Sequence, residues 1–384
     1  MNDKSILISA GEASGDILGG ALVEELRCRG FSERIFALGG KSLRAAGAEI
    51  LADTSDWGAL GILQSLKVSP RVFRGYSLAK KWIACNKPAL VVGIDFGAMN
   101  VRLLRYAKEQ GSKTLYFMPP GSWRRDIQGE DLPKIADKIA TPFEWSAKIL
   151  REMGGDAEWV GHPILQLVGE VSPVERKHLA LLPGSRKHEI LSNISTIAQV
   201  IKILERENFI GHLETTSAPK VKPVIVCAPN TDEKFLRDIW KHHSDMDVEI
   251  TTSPSIEIFK RSSAAIVCSG TATLEAAVCF TPMVVLYKGS FLMELEYRIR
   301  KPKFEFIALP SILLQKRVVP EFIQRDATPE RIAAEAKSLI LESEKRKEQL
   351  ASFEELRKLL GPEDALSRTA RIALELINAP EGVS

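Results

Sequence analysis

Short apolar runs recur along the chain, each closed by Gly, Pro, Asn or Asp and followed by a stretch of helical periodicity. Ile6–Ser9 runs into Gly11-Glu12-Ala13-Ser14-Gly15-Asp16 and then a helix rich in Leu, Val and Glu to about Arg27. Ile35–Leu38 ends at Gly39-Gly40 and precedes a helical Ser42–Ala46. Ala89–Ile94 ends at Asp95, Lys113–Phe117 at a Pro-Pro-Gly turn, and Trp159-Val160 at Gly161-His162-Pro163. A second series begins near Lys177. There Leu179–Leu182 is closed by Pro183-Gly184-Ser185-Arg186, and Val224–Cys227 by Pro229-Asn230. Val248–Thr251, Ala264–Cys268 (before Ser269-Gly270-Thr271) and Met283–Tyr287 complete it. The alternation predicts an α/β protein with two Rossmann-like, doubly wound parallel sheets and a helical C-terminal tail. The expected boundaries are 1–165, 176–355 and 356–384, with a linker over Ile164–Arg176. The tail is expected to return to the N-terminal domain or to a partner subunit. In such sheets ligands bind beyond the carboxyl ends of the strands, and in the cleft between two such domains.

Composition narrows the picture. The 384 residues carry a net charge of only +3, with 45% hydrophobic and 26% charged residues, so disorder and a general nucleic-acid surface are disfavoured. Five cysteines, with no C-x-x-C pair, give neither a disulfide framework nor a zinc motif. No apolar run reaches the roughly 18 residues that a membrane span needs. The chain reads as cytosolic, or as peripheral on the cytoplasmic face of a membrane. Neither G-x-G-x-x-G after a strand nor G-x-x-x-x-G-K-[ST] occurs, which disfavours a standard dehydrogenase or nucleotide triphosphatase.

Candidate chemistry sits at the strand ends. In Cys268-Ser269-Gly270-Thr271-Ala272-Thr273-Leu274-Glu275, small residues let a ligand approach the N-terminus of the next helix, which suits a phosphate or diphosphate. Glu275 can accept hydrogen bonds from sugar hydroxyls. The alternative is an ordinary tight turn with Thr271 as N-cap and Glu275 in solvent. The Gly184-Ser185-Arg186 turn offers a guanidinium fork to a diphosphate. The alternative there is an Arg186–Glu189 pair. Asp95, ending an apolar strand, suits a general base on a hydroxyl, or else a helix cap. Glu12, Ser14, Gly15 and Asp16 line the first turn, where Ser14 or Asp16 can equally cap a helix. His162 can contact a ligand at the hinge or pack as a boundary residue. Leu60-Gly61-Ile62-Leu63, Leu66, Val68, Val72 and Phe73, interleaved with Lys67, Arg71, Arg74, Lys80 and Lys81, suit an anionic lipid interface, or an ordinary cover helix.

Together these motifs resemble the lipid-A-disaccharide synthase family of GT-B-type glycosyltransferases. The matching blocks occur in order. They are A-G-E-A-S-G-D (Ala10–Asp16), G-I-D (Gly93–Asp95) with Asn100 after it, P-F-E (Pro142–Glu144) and V-G-H-P (Val160–Pro163). Then come L-L-P-G-S-R-x-x-E-I (Leu181–Ile190), S-G-T-A-T-L-E-A (Ser269–Ala276), P-M-V-V-x-Y-K (Pro282–Lys288) and L-P-x-x-L-x-x-x-x-V-V-P-E-x-x-Q (Leu309–Gln324). The resemblance implies inverting, metal-independent transfer of a diacylated glucosamine from a UDP donor to a diacylglucosamine 1-phosphate. No cofactor is implied.

By resemblance the C-terminal domain holds UDP. Gly184, Ser185, Arg186, Ser269, Gly270, Thr271, Ala272, Glu275, Glu321 and Gln324 would form the donor site. Asp95 and Arg186 would be catalytic, with Glu12, Ser14, Gly15, Asp16, Asn100 and His162 on the acceptor side. The implied partners are the two acylated sugars and the anionic cytoplasmic face of the inner membrane, with a homodimer left open. The chain departs from the family pattern at Gln64, Ala98, Met118–Arg125, Gln166 and Ser311. Most of these lie in the acceptor domain, so another acceptor, a UDP-sugar epimerase or a non-catalytic UDP-sugar-binding paralogue are the rival readings.

Overall fold

The computed structural model describes residues 4–379 except 56, 58–61, 123, 126–127, 173, 211–219, 230 and 290–304; the side chains of 62–69 also lie outside the description. The chain forms two compact units, one of residues 1–167 with 360–384 and one of residues 168–359.

The first unit is a seven-stranded sheet of β1 (Ile6–Ala10), β2 (Ile35–Gly39), β3 (Glu49–Asp53), β4 (Leu90–Ile94), β5 (Lys113–Phe117), β6 (Lys138–Thr141) and β7 (Ala157–Trp159). Its spatial order is β3-β2-β1-β4-β5-β6-β7, every pair parallel. Parallel strands covered on both faces read as continuous apolar runs, which is why β1, β2 and β4 are buried at every position. Side-chain alternation divides them between two cores. Ile6, Ile8, Ala10, Val92 and Ile94 pack with α1 (Ala13–Cys28). Leu7, Val91 and Tyr116 pack with α3 (Ile62–Asn86) and α4 (Gly97–Glu109) on the other face.

The second unit has β8 (His178–Leu182), β9 (Lys222–Val226), β10 (Glu249–Thr251), β11 (Ser262–Cys268), β12 (Met283–Tyr287) and β13 (Glu321–Ile323), in the parallel order β10-β9-β8-β11-β12-β13. One core joins Leu179, Leu181, Ile225 and Ile266 to Ile190, Ile194, Ile197 and Ile201 of α8 (Lys187–Arg206).

Both sheets match the predicted class. The structure adds strands that the pattern did not announce, Glu49–Asp53, Lys138–Thr141 and Glu321–Ile323, and a short helix, Ile164–Val168, inside the expected linker. The final helix, Ala365–Asn378, places Leu366, Ala370, Ile372 and Ala373 in the core shared with α1. Among the described residues no helix is long and apolar enough to cross a membrane.

Candidate active site

In each unit the strand order reverses between two central strands, β1 and β4 in the first and β8 and β11 in the second. That is where an open α/β sheet leaves a crevice at its carboxyl edge.

In the first unit Glu12, Gly15, Ile94, Asp95 and Phe96 line one small open pocket at this point. Asp95 and Phe96 both adopt left-handed backbone, with φ of 46° and 43°. Asn100, fully buried one turn into α4, secures them. Its Nδ2 donates to the carbonyls of Ser9 (3.1 Å), Ile94 (3.0 Å) and Asp95 (2.9 Å), and its Oδ1 accepts from Ser9 Oγ at 2.7 Å. The Tyr116 hydroxyl, which sequence reasoning missed, donates to the same Asp95 carbonyl at 3.0 Å. Asn100 therefore shapes the pocket from below and is not itself open to a ligand. The Asp95 side chain reaches solvent, yet the surrounding protein raises its pKa above the ordinary carboxylate value, partly offset by the Phe96 N–H. Asp95 caps no helix, since the N-cap of α4 is Phe96. Gly11 is required by contact: a Cβ there would stand 2.1 Å from the Phe96 ring.

Asp16 has another task. Its carboxylate accepts from the N–H groups of Gly40 (2.6 Å), Ser42 (2.8 Å) and Leu43 (3.2 Å), which caps α2 (Lys41–Ala45) across space. Ser14 lies half-buried in the first turn of α1, whose N-cap is Glu12. His162 is also occupied. Its N–H donates to the Leu360 carbonyl at 2.8 Å, its Nδ1 accepts from the Ile164 N–H at 3.2 Å, and burial pushes its pKa down to about 3. It is a neutral joint between the strand-β7 loop and the returning tail.

In the second unit, β8 and β11 are paired through Leu182–Val267, so the two phosphate-compatible turns emerge side by side. The Gly184 turn differs from expectation. Buried Glu189 accepts from the Ser185 N–H (3.0 Å) and the Arg186 N–H (3.2 Å), and pairs with Arg186 Nη1 at 2.9 Å. Those two N–H groups are thus committed to Glu189, and the Arg186–Glu189 pair is real. It engages one nitrogen of a five-donor fork, and the Arg186 side chain stays 29% exposed. Gly184 holds φ at 130° against Glu189, where a Cβ would meet the Glu189 Cβ at 2.5 Å. The helix N-terminus of Thr271–Val278 is more open: Gly270 and Thr271 are exposed, a Cβ at Gly270 would meet no atom within 4 Å among the described residues, Ala272 is half-buried, and no acid occupies the first turn. Ser269 Oγ donates to the Ile307 carbonyl at 2.8 Å. Glu275 is not in free solvent. Burial raises its pKa, and its Oε2 accepts from Ser255 Oγ at 2.5 Å.

Glu321 accepts from the N–H groups of Ile307 (2.7 Å) and Ala308 (3.1 Å), fixing a loop that also carries the Ser269 contact. Gln324 follows β13 in a left-handed conformation, φ 52°. Of the lipid-directed segment, residues 60–61 and the side chains of 62–69 lie outside the described residues. Beyond them Phe73 is 67% exposed among exposed Arg71, Arg74 and Lys81.

Against known proteins, a family model described as Lipid-A-disaccharide synthetase matches residues 6–375. The chain belongs to this family. It is 32% identical over 389 residues to the lipid-A-disaccharide synthase of Syntrophus aciditrophicus (98% of this chain, 99% of that one). It is 31% identical to that of Myxococcus xanthus (98% of each chain). Solved structures share the fold. The Staphylococcus aureus MnaA–UDP co-structure superposes at TM-score 0.61 with 13% identity, covering 99% of this chain and 100% of that one. Acinetobacter baumannii MurG gives 0.56 at 13% identity, covering 97% and 99%. Membership makes the chain a GT-B-type glycosyltransferase of lipid A biosynthesis. Two of the family departures now have structural roles. Ser311 Oγ accepts from the Val318 N–H at 3.2 Å in a buried position. Gln166 ties the final helix to α1, accepting from the Leu366 N–H (2.8 Å) and donating to Glu25 Oε1 (2.8 Å).

Proposed function

We propose that this glycosyltransferase moves 2,3-diacylglucosamine from its UDP donor to 2,3-diacylglucosamine 1-phosphate, with inversion, giving the disaccharide 1-phosphate and UDP. The observation that carries the donor half is the adjacency of the Arg186 and Ser269–Thr271 turns on paired strands β8 and β11. Arg186 and the first-turn N–H groups after Gly270 supply fixed donors to the charge that develops on the leaving diphosphate. Glu275 receives the ribose hydroxyls, while Ser269, Glu321 and Gln324 shape the wall of the pocket.

On the other unit Asp95 acts as general base. The acceptor hydroxyl attacks the anomeric carbon, its proton passes to the Asp95 carboxylate, and the bond to the diphosphate oxygen breaks with its electron pair leaving on UDP. Glu12 and Gly15 line the place where that hydroxyl arrives. Phe73 and its basic neighbours rest on anionic lipid at the cytoplasmic face of the inner membrane, where both acylated sugars partition.

Asp95→Asn tests the assignment. Transfer should fall by about 10²–10⁴-fold, while UDP affinity and melting temperature stay at the wild-type values. Full activity in this variant would remove Asp95 from the chemistry.

A further inference from the structure

One buried side chain in the second unit touches the residues that lead into both phosphate-compatible turns without reaching solvent. Asn193 lies on α8, seven residues beyond Arg186, and has no exposure. Its Nδ2 donates to the Pro183 carbonyl at 2.9 Å and to Cys268 Sγ at 3.3 Å. Its Oδ1 accepts from the Lys288 N–H at 3.0 Å. Pro183 follows β8, Cys268 ends β11 and Lys288 follows β12, and these are three neighbouring strands. The described ladder pairs stop at Leu182–Val267 and Cys268–Leu286. At and just beyond that level the carboxamide ties the ends of the three strands together.

A buried carboxamide carries two donors and one acceptor oxygen, and here both donors and the oxygen are engaged. The thiol of Cys268, pushed up to about 12 by burial, stays protonated and accepts the second donor. Lys288 turns away from the strand ends, its Nζ donating to Thr196 Oγ1 at 2.6 Å. Its backbone is therefore what Asn193 holds.

We propose that Asn193 is a positioning residue of the donor site: it sets the spacing between the Gly184–Arg186 and Ser269–Thr271 turns, and through them the grip on the UDP diphosphate. This rests on the donor-site reading above. A spacing error in such a clamp weakens its hold on the bound diphosphate and on the charge that develops there as UDP leaves, so KM for the donor rises and kcat falls with it.

The test is calorimetric titration of UDP into the wild type, Asn193→Ala, Asn193→Asp, Cys268→Ala and Arg186→Ala, with donor KM, kcat and melting temperature measured on each. Asn193→Asp keeps the acceptor for Lys288 but sets an oxygen against the Pro183 carbonyl. Both Asn193 variants should weaken UDP by about tenfold or more and raise donor KM in parallel, with kcat lowered as well. Cys268→Ala, which deletes one contact, should move the same way by less and guards against an Asn193 variant that fails to fold. UDP affinity within twofold of wild type in the folded variants, whatever their melting temperatures, would overturn the role. Failure of the wild type to bind UDP, or wild-type binding by Arg186→Ala, would instead bring down the donor-site reading and this role with it.

Discussion

Asp95 combines an awkward backbone with an awkward charge. Left-handed non-glycine residues cost on the order of 1–3 kcal/mol each, and here two adjoin, Asp95 and Phe96. Asn100 and Tyr116 meet that cost by holding the Asp95 carbonyl from two sides. The carboxyl pKa is raised because the protein around it strips water from the charged form, although the side chain still reaches solvent. The sign follows for catalysis: a base must be ionised, so activity should climb with pH through an acid limb lying above the ordinary aspartate value, about 3.9. For stability the sign is opposite. The folded state holds the Asp95 proton more tightly than the unfolded chain, so stability declines as pH rises between the unfolded and folded pKa values. A kcat/KM profile with its acid limb at or below the ordinary value would contradict the environment described here. Asp95 and Arg186 stand out in the sequence because each closes or soon follows an apolar run, and Glu275 because it is a carboxylate one turn into the helix after such a run. The tasks of Asp16 and Glu321 were not, because their partners, Gly40 and Ile307, lie 24 and 14 residues away in the chain.

At the scale of elements, the central strands were legible because burial on both faces makes them wholly apolar, as in Leu90–Ile94 and Met283–Tyr287. Edge strand Glu49–Asp53 was not, since its ends are exposed and polar. Asn193 did leave a signal, a lone amide on the Ile190–Ile194–Ile197–Ile201 stripe of α8. That signal identifies a buried polar residue but not which strand ends it joins. Gln166 is a comparable case on the first unit. It belongs to a surface junction at the start of the final helix, where its carboxamide oxygen caps Leu366 and its nitrogen reaches Glu25. Gln166→Ala should lose about 1–2 kcal/mol, as for a deleted helix cap, and so lower the melting temperature by a few degrees. UDP affinity should not change. A loss of UDP binding without a change in melting temperature would show that this departure from the family pattern serves the substrate instead.

For the whole molecule, the total charge of +3 is near neutral, and positive charge is gathered locally. Arg186 is held in the Gly184 turn by a buried carboxylate, and the exposed Arg74 and Lys81 share a helix with exposed Phe73 in the other unit. The two sheets repeat one device: a reversal of strand order, turns at the carboxyl edge, and a buried asparagine beneath them, Asn100 in one unit and Asn193 in the other. Different groups stand above the asparagines, an arginine and a helix N-terminus in one unit and an aspartate in the other, and the proposed donor and acceptor halves rest on that difference. The most direct measurement is a transfer reaction with acylated UDP-glucosamine and diacylglucosamine 1-phosphate, read by product mass, beside a control with UDP-GlcNAc alone. The account predicts a disaccharide 1-phosphate formed in step with UDP release, and no isomerised sugar nucleotide in the control. UDP binding without disaccharide formation, or isomerisation of UDP-GlcNAc, would contradict it.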